Sequence, residues 1–124
     1  MAIVVWIVQF LLAIAFCAAG LMKVFRPKEE LRERMAWVEP VAPRSIKLIG
    51  LIEFLGGLGL VLPALTGIAP MLTLIAAIGL ALVMMAAIVV HVRIRDPFAQ
   101  LLPAIVLLVL LLLCIWGLVA VGRY

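Results

Sequence analysis

Four long apolar runs constrain this chain more than any other feature of its sequence. They cover about 2–25, 45–65, 71–92 and 98–121, and only polar segments separate them. Each run is close to the ~20 residues that a helix needs to cross the ~30 Å hydrocarbon core of a bilayer. The runs do not alternate as strands would, and open sheet edges do not survive in lipid. We therefore predict an all-α integral membrane protein, folded as a four-helix bundle.

Composition argues against a soluble fold. The 124 residues are 69% hydrophobic and 13% charged, whereas soluble domains are about half apolar and about a quarter charged. A domain this small leaves much of its surface exposed, so the excess apolar surface must face lipid. The net charge is +4, but the cations lie in loops, and no nucleic-acid recognition module is evident. The lipid bilayer is the predicted partner, and nucleic acid is not.

The first run is predicted to be a retained span rather than a signal peptide. It has no Lys or Arg before its apolar stretch, so the charged region that begins a signal peptide is missing. The segment 13–17 weakly resembles a lipoprotein cleavage site, but the bulky Phe16 takes the place of a small residue.

The connection between spans one and two is the only long one, and it predicts a short amphipathic interfacial helix over 28–38. Pro27 precedes acidic residues, an order that suits the first turn of a helix. Leu31, Met35 and Val38 then fall at i, i+4 and i+7, which gives one apolar face.

The basic residues predict the orientation of the bundle. Nine lie in or beside the two loops on one side: Lys23, Arg26, Lys28, Arg32, Arg34, Arg44, Lys47, Arg93 and Arg95. Only Arg123 belongs to the other side. Because positive loops stay in the cytoplasm, we expect both termini to lie outside it.

Three ionisable residues lie within or at the ends of the spans, where such groups are costly and mark functional sites. Lys23 ends span one, His91 ends span three, and Glu53 lies about 12 Å into span two. Because span two runs opposite to spans one and three, all three belong to the same half of the bilayer. We expect Glu53 to point into the bundle and to bond Lys23, His91 or a trapped polar molecule.

Helical spacing places polar and small residues on one stripe of each span. The stripes are Gln9, Ala13, Phe16, Gly20 and Lys23 in span one, Ile46, Gly50, Glu53 and Gly57 in span two, and Thr73 through His91 in span three. Such stripes should face one another. The predicted ligand-binding residues are Glu53, His91, Lys23, Gln9 and Gly50.

Several of these residues also suit a purely structural role in place of ligand binding. Lys23 is equally suited to anchor the helix at the interface, Glu53 to fix helix packing through an ion pair, and Gln9 to bond another helix. Two ligands, Glu53 and His91, are too few for zinc, so no metal site is predicted. Cys17 and Cys114 differ in depth by roughly 9 Å, too far for a disulfide.

Three stretches of the sequence resemble the DoxX-like family of small bacterial membrane proteins, and the ending Val121-Gly122-Arg123 also fits. They are Phe16-Cys17-Ala18-Ala19-Gly20-Leu21-Met22-Lys23-Val24-Phe25, Lys47-Leu48-Ile49-Gly50-Leu51-Ile52-Glu53 continuing through Leu62-Pro63, and Met84-Met85-Ala86-Ala87-Ile88-Val89-Val90-His91. The resemblance covers nearly the whole chain. It implies a four-helix bundle in the bacterial inner membrane, with family elements at Gly20, Lys23, Gly50, Glu53 and His91.

The family takes its name from the membrane part of a quinone-reducing, sulfur-oxidising complex, which implies a redox protein as partner. The leading hypothesis is a non-enzymatic subunit that binds a small apolar molecule, a quinone or a lipid, beside Glu53 and His91. A second hypothesis is an assembly or interaction protein whose polar cluster is purely structural. A third is an enzyme that uses Glu53 and His91 as acid and base. The sequence also leaves open whether the protein forms a homo-oligomer.

Overall fold

The computed structural model describes residues 2–32 and 41–122, and these residues form helices without strands. The helices are α1 (Ala2–Phe25), α2 (Lys28–Arg32), α3 (Pro43–Gly59), α4 (Leu62–Thr66), α5 (Met71–Arg93) and α6 (Phe98–Ala120). α3 and α4 together form one membrane span, Pro43–Thr66, and α1, α5 and α6 form the other three. The prediction of an all-α membrane bundle with four spans is confirmed.

Most of each span faces outward. Within the most apolar 18-residue window of every span, only 28% of the residues are buried in the bundle. Large apolar side chains such as Ile3, Leu82 and Leu113 are more than half exposed. Water would not solvate this surface favourably, so the surrounding solvent must be lipid.

Two helix pairs build the bundle. α1 packs along α3, and α5 packs along α6, while α1–α6 and α3–α5 contacts join the pairs. The buried residues of α1 and α3 are the polar and small stripes expected from the sequence: Val5, Gln9, Leu12, Ala13, Phe16, Gly20 and Lys23 on α1, and Ile46, Gly50, Glu53 and Gly57 on α3.

Glycines let α1 and α3 approach closely. A Cβ atom on Gly50 would lie 2.7 Å from the carbonyl oxygen of Gly20, and one on Gly20 would overlap the carbonyl oxygen of Gly50. Further along, a Cβ atom on Gly57 would lie 2.8 Å from Sγ of Cys17. Backbones this close gain dispersion contacts that larger residues would prevent.

The second span is interrupted, although its apolar run from 45 to 65 is continuous. Pro63 has no N–H, and its ring would clash with the carbonyl of Gly59 in a continuous helix. α3 therefore ends at Gly59, and α4 begins at Leu62 with proline in its first turn. Leu60 lies between the two helices, and Nε2 of Gln9 donates a hydrogen bond to its carbonyl oxygen at 2.7 Å.

α2 lies against the start of α3. Leu31 and Ile46 are each 1% exposed and pack together with Met22 and Val41. The start of α2 at Lys28 agrees with the predicted interfacial helix. The remainder of that prediction, through residue 38, lies outside the described residues.

The two helix pairs separate toward one end of the bundle. The buried residues of α5 stop at Met84, seven residues before His91, and those of α6 begin only at Ala104. We call this the basic end, because Lys23, Arg26, Lys28, Arg44, Lys47, Arg93 and Arg95 all lie at it. At the opposite end, Val5 of α1 packs against Gly117 of α6 and the core is closed.

Candidate functional site

A cavity of about 540 Å³ occupies the space between the separated helix pairs. Every membrane span contributes to its wall, and the polar residues that line it are Lys23, Glu53, His91 and Gln100. The rest of the wall is apolar, and three of its residues, Ala86, Val90 and Pro103, are exposed although they line the cavity. The cavity is therefore open rather than enclosed, and its exposed rim lies on the membrane-spanning helices α5 and α6.

Lys23 and Glu53 form a buried ion pair in the wall made by α1 and α3. Nζ of Lys23 donates to Oε1 of Glu53 at 2.6 Å, and the two residues are 9% and 3% exposed. Each lies three residues after a glycine of the close contact, Gly20 or Gly50, and so on the same helix face. The contact between the two glycines thus brings the two charged side chains together.

His91 pairs with a residue that the sequence analysis did not single out. Nδ1 of His91 lies 2.5 Å from Oδ2 of Asp96, and the two side chains are 13% and 10% exposed. Of the partners predicted for Glu53, the structure brings Lys23 to it, and the His91 side chain binds Asp96 instead.

The end of α5 positions Asp96 over His91 through a Schellman motif. The N–H of Asp96 donates to the carbonyl of His91 at 3.0 Å, and the N–H of Arg95 donates to that of Val92 at 3.1 Å. Arg95 has φ of 57°, the left-handed conformation that this motif requires and that glycine usually supplies. An acidic residue five positions after a histidine, just before Pro97, was the signal in the sequence.

Gln9 and Gly50 do not line the cavity. Gln9 lies further along α1, where it bonds to Leu60 at the break between α3 and α4. An interhelical hydrogen bond of this kind is the structural role that the sequence allowed for Gln9 beside ligand binding. Gly50 lies behind Lys23, since a Cβ atom there would lie 2.7 Å from Cβ of Lys23. Both residues support the helices that carry the cavity wall.

The side chains that line the cavity suit an amphipathic ligand. Apolar side chains cover most of it, and an ion pair and a carboxylate-bound imidazole lie at its basic end. The described residues include no group of three or more His, Cys, Asp or Glu side chains that could hold a metal ion. Cys17 and Cys114 are not joined by a disulfide.

Four membrane-crossing helices around a lipid-facing cavity define a polytopic α-helical membrane protein with an internal candidate site. The sequence matches the model of the DoxX-like family over residues 7–114, a range that includes Lys23, Glu53, His91 and Asp96. The chain belongs to the DoxX-like family, and the resemblance stated from its motifs is confirmed. Neither a curated protein nor a solved structure matches the chain.

Proposed function

We propose that this protein is a non-enzymatic membrane subunit that binds a small, largely apolar molecule, a quinone or a lipid, in the cavity. The observation that carries this proposal is a 540 Å³ cavity with apolar walls and a few convergent polar groups. That volume and that mixture are typical of small-molecule sites in proteins, which measure roughly 300–1,000 Å³.

The apolar part of the ligand lies against the deeper wall. Phe16 and Met84 are buried there, and Val83 and Leu107 continue the same surface. A hydrocarbon tail that enters from the bilayer gains little from leaving its surroundings, because lipid is as apolar as this wall. Close packing against these side chains and the contacts of the polar head must therefore supply the selectivity.

The polar head of the ligand lies toward Lys23, Glu53 and His91. Burying polar groups in a membrane protein costs free energy, so such groups beside a cavity indicate a functional site. Gly50 and Gln9 act on this site indirectly, the first by holding α1 against α3 and the second by bonding the broken helix.

Entry takes place sideways from the bilayer. Ala86, Val90 and Pro103 line the cavity, are exposed and belong to the membrane-spanning helices α5 and α6. A lipophilic molecule can therefore reach the cavity without crossing water. A route of this kind suits a ligand that is dissolved in the membrane.

Membership of the DoxX-like family supports two further parts of the proposal: the protein resides in the bacterial inner membrane, and it associates there with a membrane redox complex. The basic residues beside the loops support a third part, that both termini lie outside the cytoplasm. Copurification of a larger protein with the chain, after mild solubilisation of native membranes, tests this association.

Native mass spectrometry of the purified protein, with its lipids retained, tests the ligand. We expect a bound species of defined mass on the wild-type protein. Ala87 lines the cavity and is half-buried, so Ala87→Phe should fill the space and reduce the bound fraction severalfold. Ala18→Phe adds the same ring to an exposed position of α1 outside the cavity and should leave the bound fraction unchanged.

An empty bundle in a stable complex with a larger partner would contradict this proposal. That result would favour the assembly or interaction protein, in which the polar cluster only fixes the fold. Equal occupancy in Ala87→Phe and Ala18→Phe would place the bound molecule outside the cavity.

A further inference from the structure

The hydrogen bond between His91 and Asp96 restricts the head group that the cavity can hold. We infer that the ligand has an uncharged head with a hydroxyl group, and that this hydroxyl donates a hydrogen bond to Nε2 of His91. The inference rests on the proposed function, because it requires a ligand in the cavity. It narrows the class of that ligand to a hydroxyl-bearing lipid or the reduced, quinol form of a quinone, since the carbonyls of an oxidised quinone only accept hydrogen bonds.

The direction of the hydrogen bond at Nδ1 decides what His91 offers to the cavity. A carboxylate has no proton to donate, so the bond between Nδ1 and Oδ2 of Asp96 places the ring proton on Nδ1. In its neutral form, an imidazole with its proton on Nδ1 carries a lone pair on Nε2, which accepts hydrogen bonds. Because His91 lines the cavity, a donor group on the ligand is the complementary partner.

The backbone holds this arrangement in place. Asp96 is bound to His91 twice, through its side chain and through its own N–H to the His91 carbonyl oxygen at 3.0 Å. The His91 ring therefore cannot turn Nδ1 toward the cavity without losing the bond to Asp96. A carboxylate behind a histidine fixes the tautomer in the same way at many metal and catalytic sites.

The charges around the cavity favour an uncharged head over a phosphate. Glu53 balances the charge of Lys23 at 2.6 Å, and Asp96 adds a further carboxylate behind His91. Arg93 and Arg95 lie nearby but are exposed and do not line the cavity. Among the described residues of the wall, no surplus cation offsets an anionic head, and an unbalanced charge is costly away from water.

A matched pair of probes tests this inference on the wild-type protein in detergent. para-Decylphenol and para-decylanisole share the ring, the tail and an acceptor oxygen, but only the phenol can donate a hydrogen bond. We expect calorimetry to show that the phenol binds about tenfold more tightly or better. Decyl phosphate, an anionic probe with the same tail, should bind more weakly than the phenol.

The probe results separate this inference from the proposed function. Equal binding of phenol and anisole, or tighter binding of the anisole or of decyl phosphate, would overturn the inference while leaving a binding cavity in place. Failure of every probe to bind would overturn both. These measurements need no variant, so they do not depend on the folding of a mutant.

Variants then locate the acceptor. His91→Phe removes Nε2 and should reduce the preference for phenol to about equal binding, whereas Val92→Phe, at an exposed neighbouring position outside the cavity, should preserve it. Asp96→Asn keeps the volume but allows an amide N–H to meet Nδ1, so the preference should fall. Loss of the preference in Gln100→Leu but not in His91→Phe would assign the acceptor to Gln100 and overturn the inference.

Discussion

Nζ of Lys23 lies 2.6 Å from Oε1 of Glu53, and both side chains are almost completely enclosed by the bundle. Neither charge would be tolerated alone at this depth, because desolvation of an unpaired ion costs several kcal/mol. The pair is therefore a constraint on the fold as well as a wall of the cavity. It ties the end of α1 to the second half of α3.

Replacing one member of this ion pair should destabilise the protein more than replacing both members together. Glu53→Leu removes the carboxylate that binds Nζ of Lys23 inside the bundle and should cost about 3–5 kcal/mol of unfolding free energy. Lys23→Met, which removes the ammonium from Glu53, should have a similar effect. The double variant should lose much less than the sum of the two single effects. Unfolding in mixed micelles, followed by circular dichroism, gives the coupling energy.

Lys47→Met serves as the control for that cycle, because Lys47 is exposed at the same end and its ammonium donates to the carbonyl of Val24. It should cost at most about 1 kcal/mol. Additive single effects of Lys23→Met and Glu53→Leu would mean that the two side chains do not interact.

The glycine contact between α1 and α3 should be intolerant of a methyl group. Gly50→Ala places a Cβ atom 2.7 Å from the carbonyl oxygen of Gly20, so the helices must separate, at a cost of about 1–3 kcal/mol. Gly79 has no atom within 4 Å of its added Cβ. Gly79→Ala should stabilise the protein by roughly 0.5–1 kcal/mol, as alanine does in helix interiors. Similar stability changes in both variants would contradict the close approach.

Arg95→Gly should stabilise the end of α5. Arg95 has φ of 57° in the Schellman motif, where a residue with a Cβ atom is strained by about 1–2 kcal/mol. Glycine should relieve most of that strain while Asp96 keeps its bond to His91. Arg93→Gly removes the same charge from the helical part of α5 and should instead destabilise the protein. Thermal unfolding of both variants checks the sign of each effect.

The native thiols should be dispensable. Cys17 donates weakly to the carbonyl of Phe54 at 3.7 Å, and Cys114 is buried in the apolar core. Replacement of both with Ala should cost about 1–2 kcal/mol in packing and leave ligand binding intact. Binding measured by native mass spectrometry checks this, and its loss in a folded double variant would contradict the prediction.

The thiol-free variant also allows the orientation to be measured. Single cysteines at Ala2, Ala69 and Tyr124 should react with an impermeant reagent in intact cells, because the basic loops favour the cytoplasm. Cysteines at Ala36 and Phe98 should react only after the cells are opened. Labelling of Ala36 or Phe98 in intact cells would reverse the orientation and leave the bundle unchanged.

The sequence by itself determined the number of spans and the faces that spans one to three turn inward. Lipid requires about 20 apolar residues for each crossing and leaves backbone groups to bond within one helix. Helical periodicity then groups residues such as Gln9, Gly20 and Lys23 on one stripe. Both are local properties of the chain, so they are visible without the fold.

Only the tertiary structure decided which polar groups meet. Lys23 and His91 were equal candidates for Glu53, and the choice depends on how closely α1 approaches α3, which the contact of Gly20 with Gly50 sets. The partner of His91 depends on the left-handed turn at Arg95, an unusual conformation for arginine. The cavity exists because the helix pairs separate at the basic end. Helix separations come from contacts among residues distant in sequence, so the sequence pattern alone does not contain them. The turn at Arg95 is local, but it has arginine where glycine usually marks such a turn.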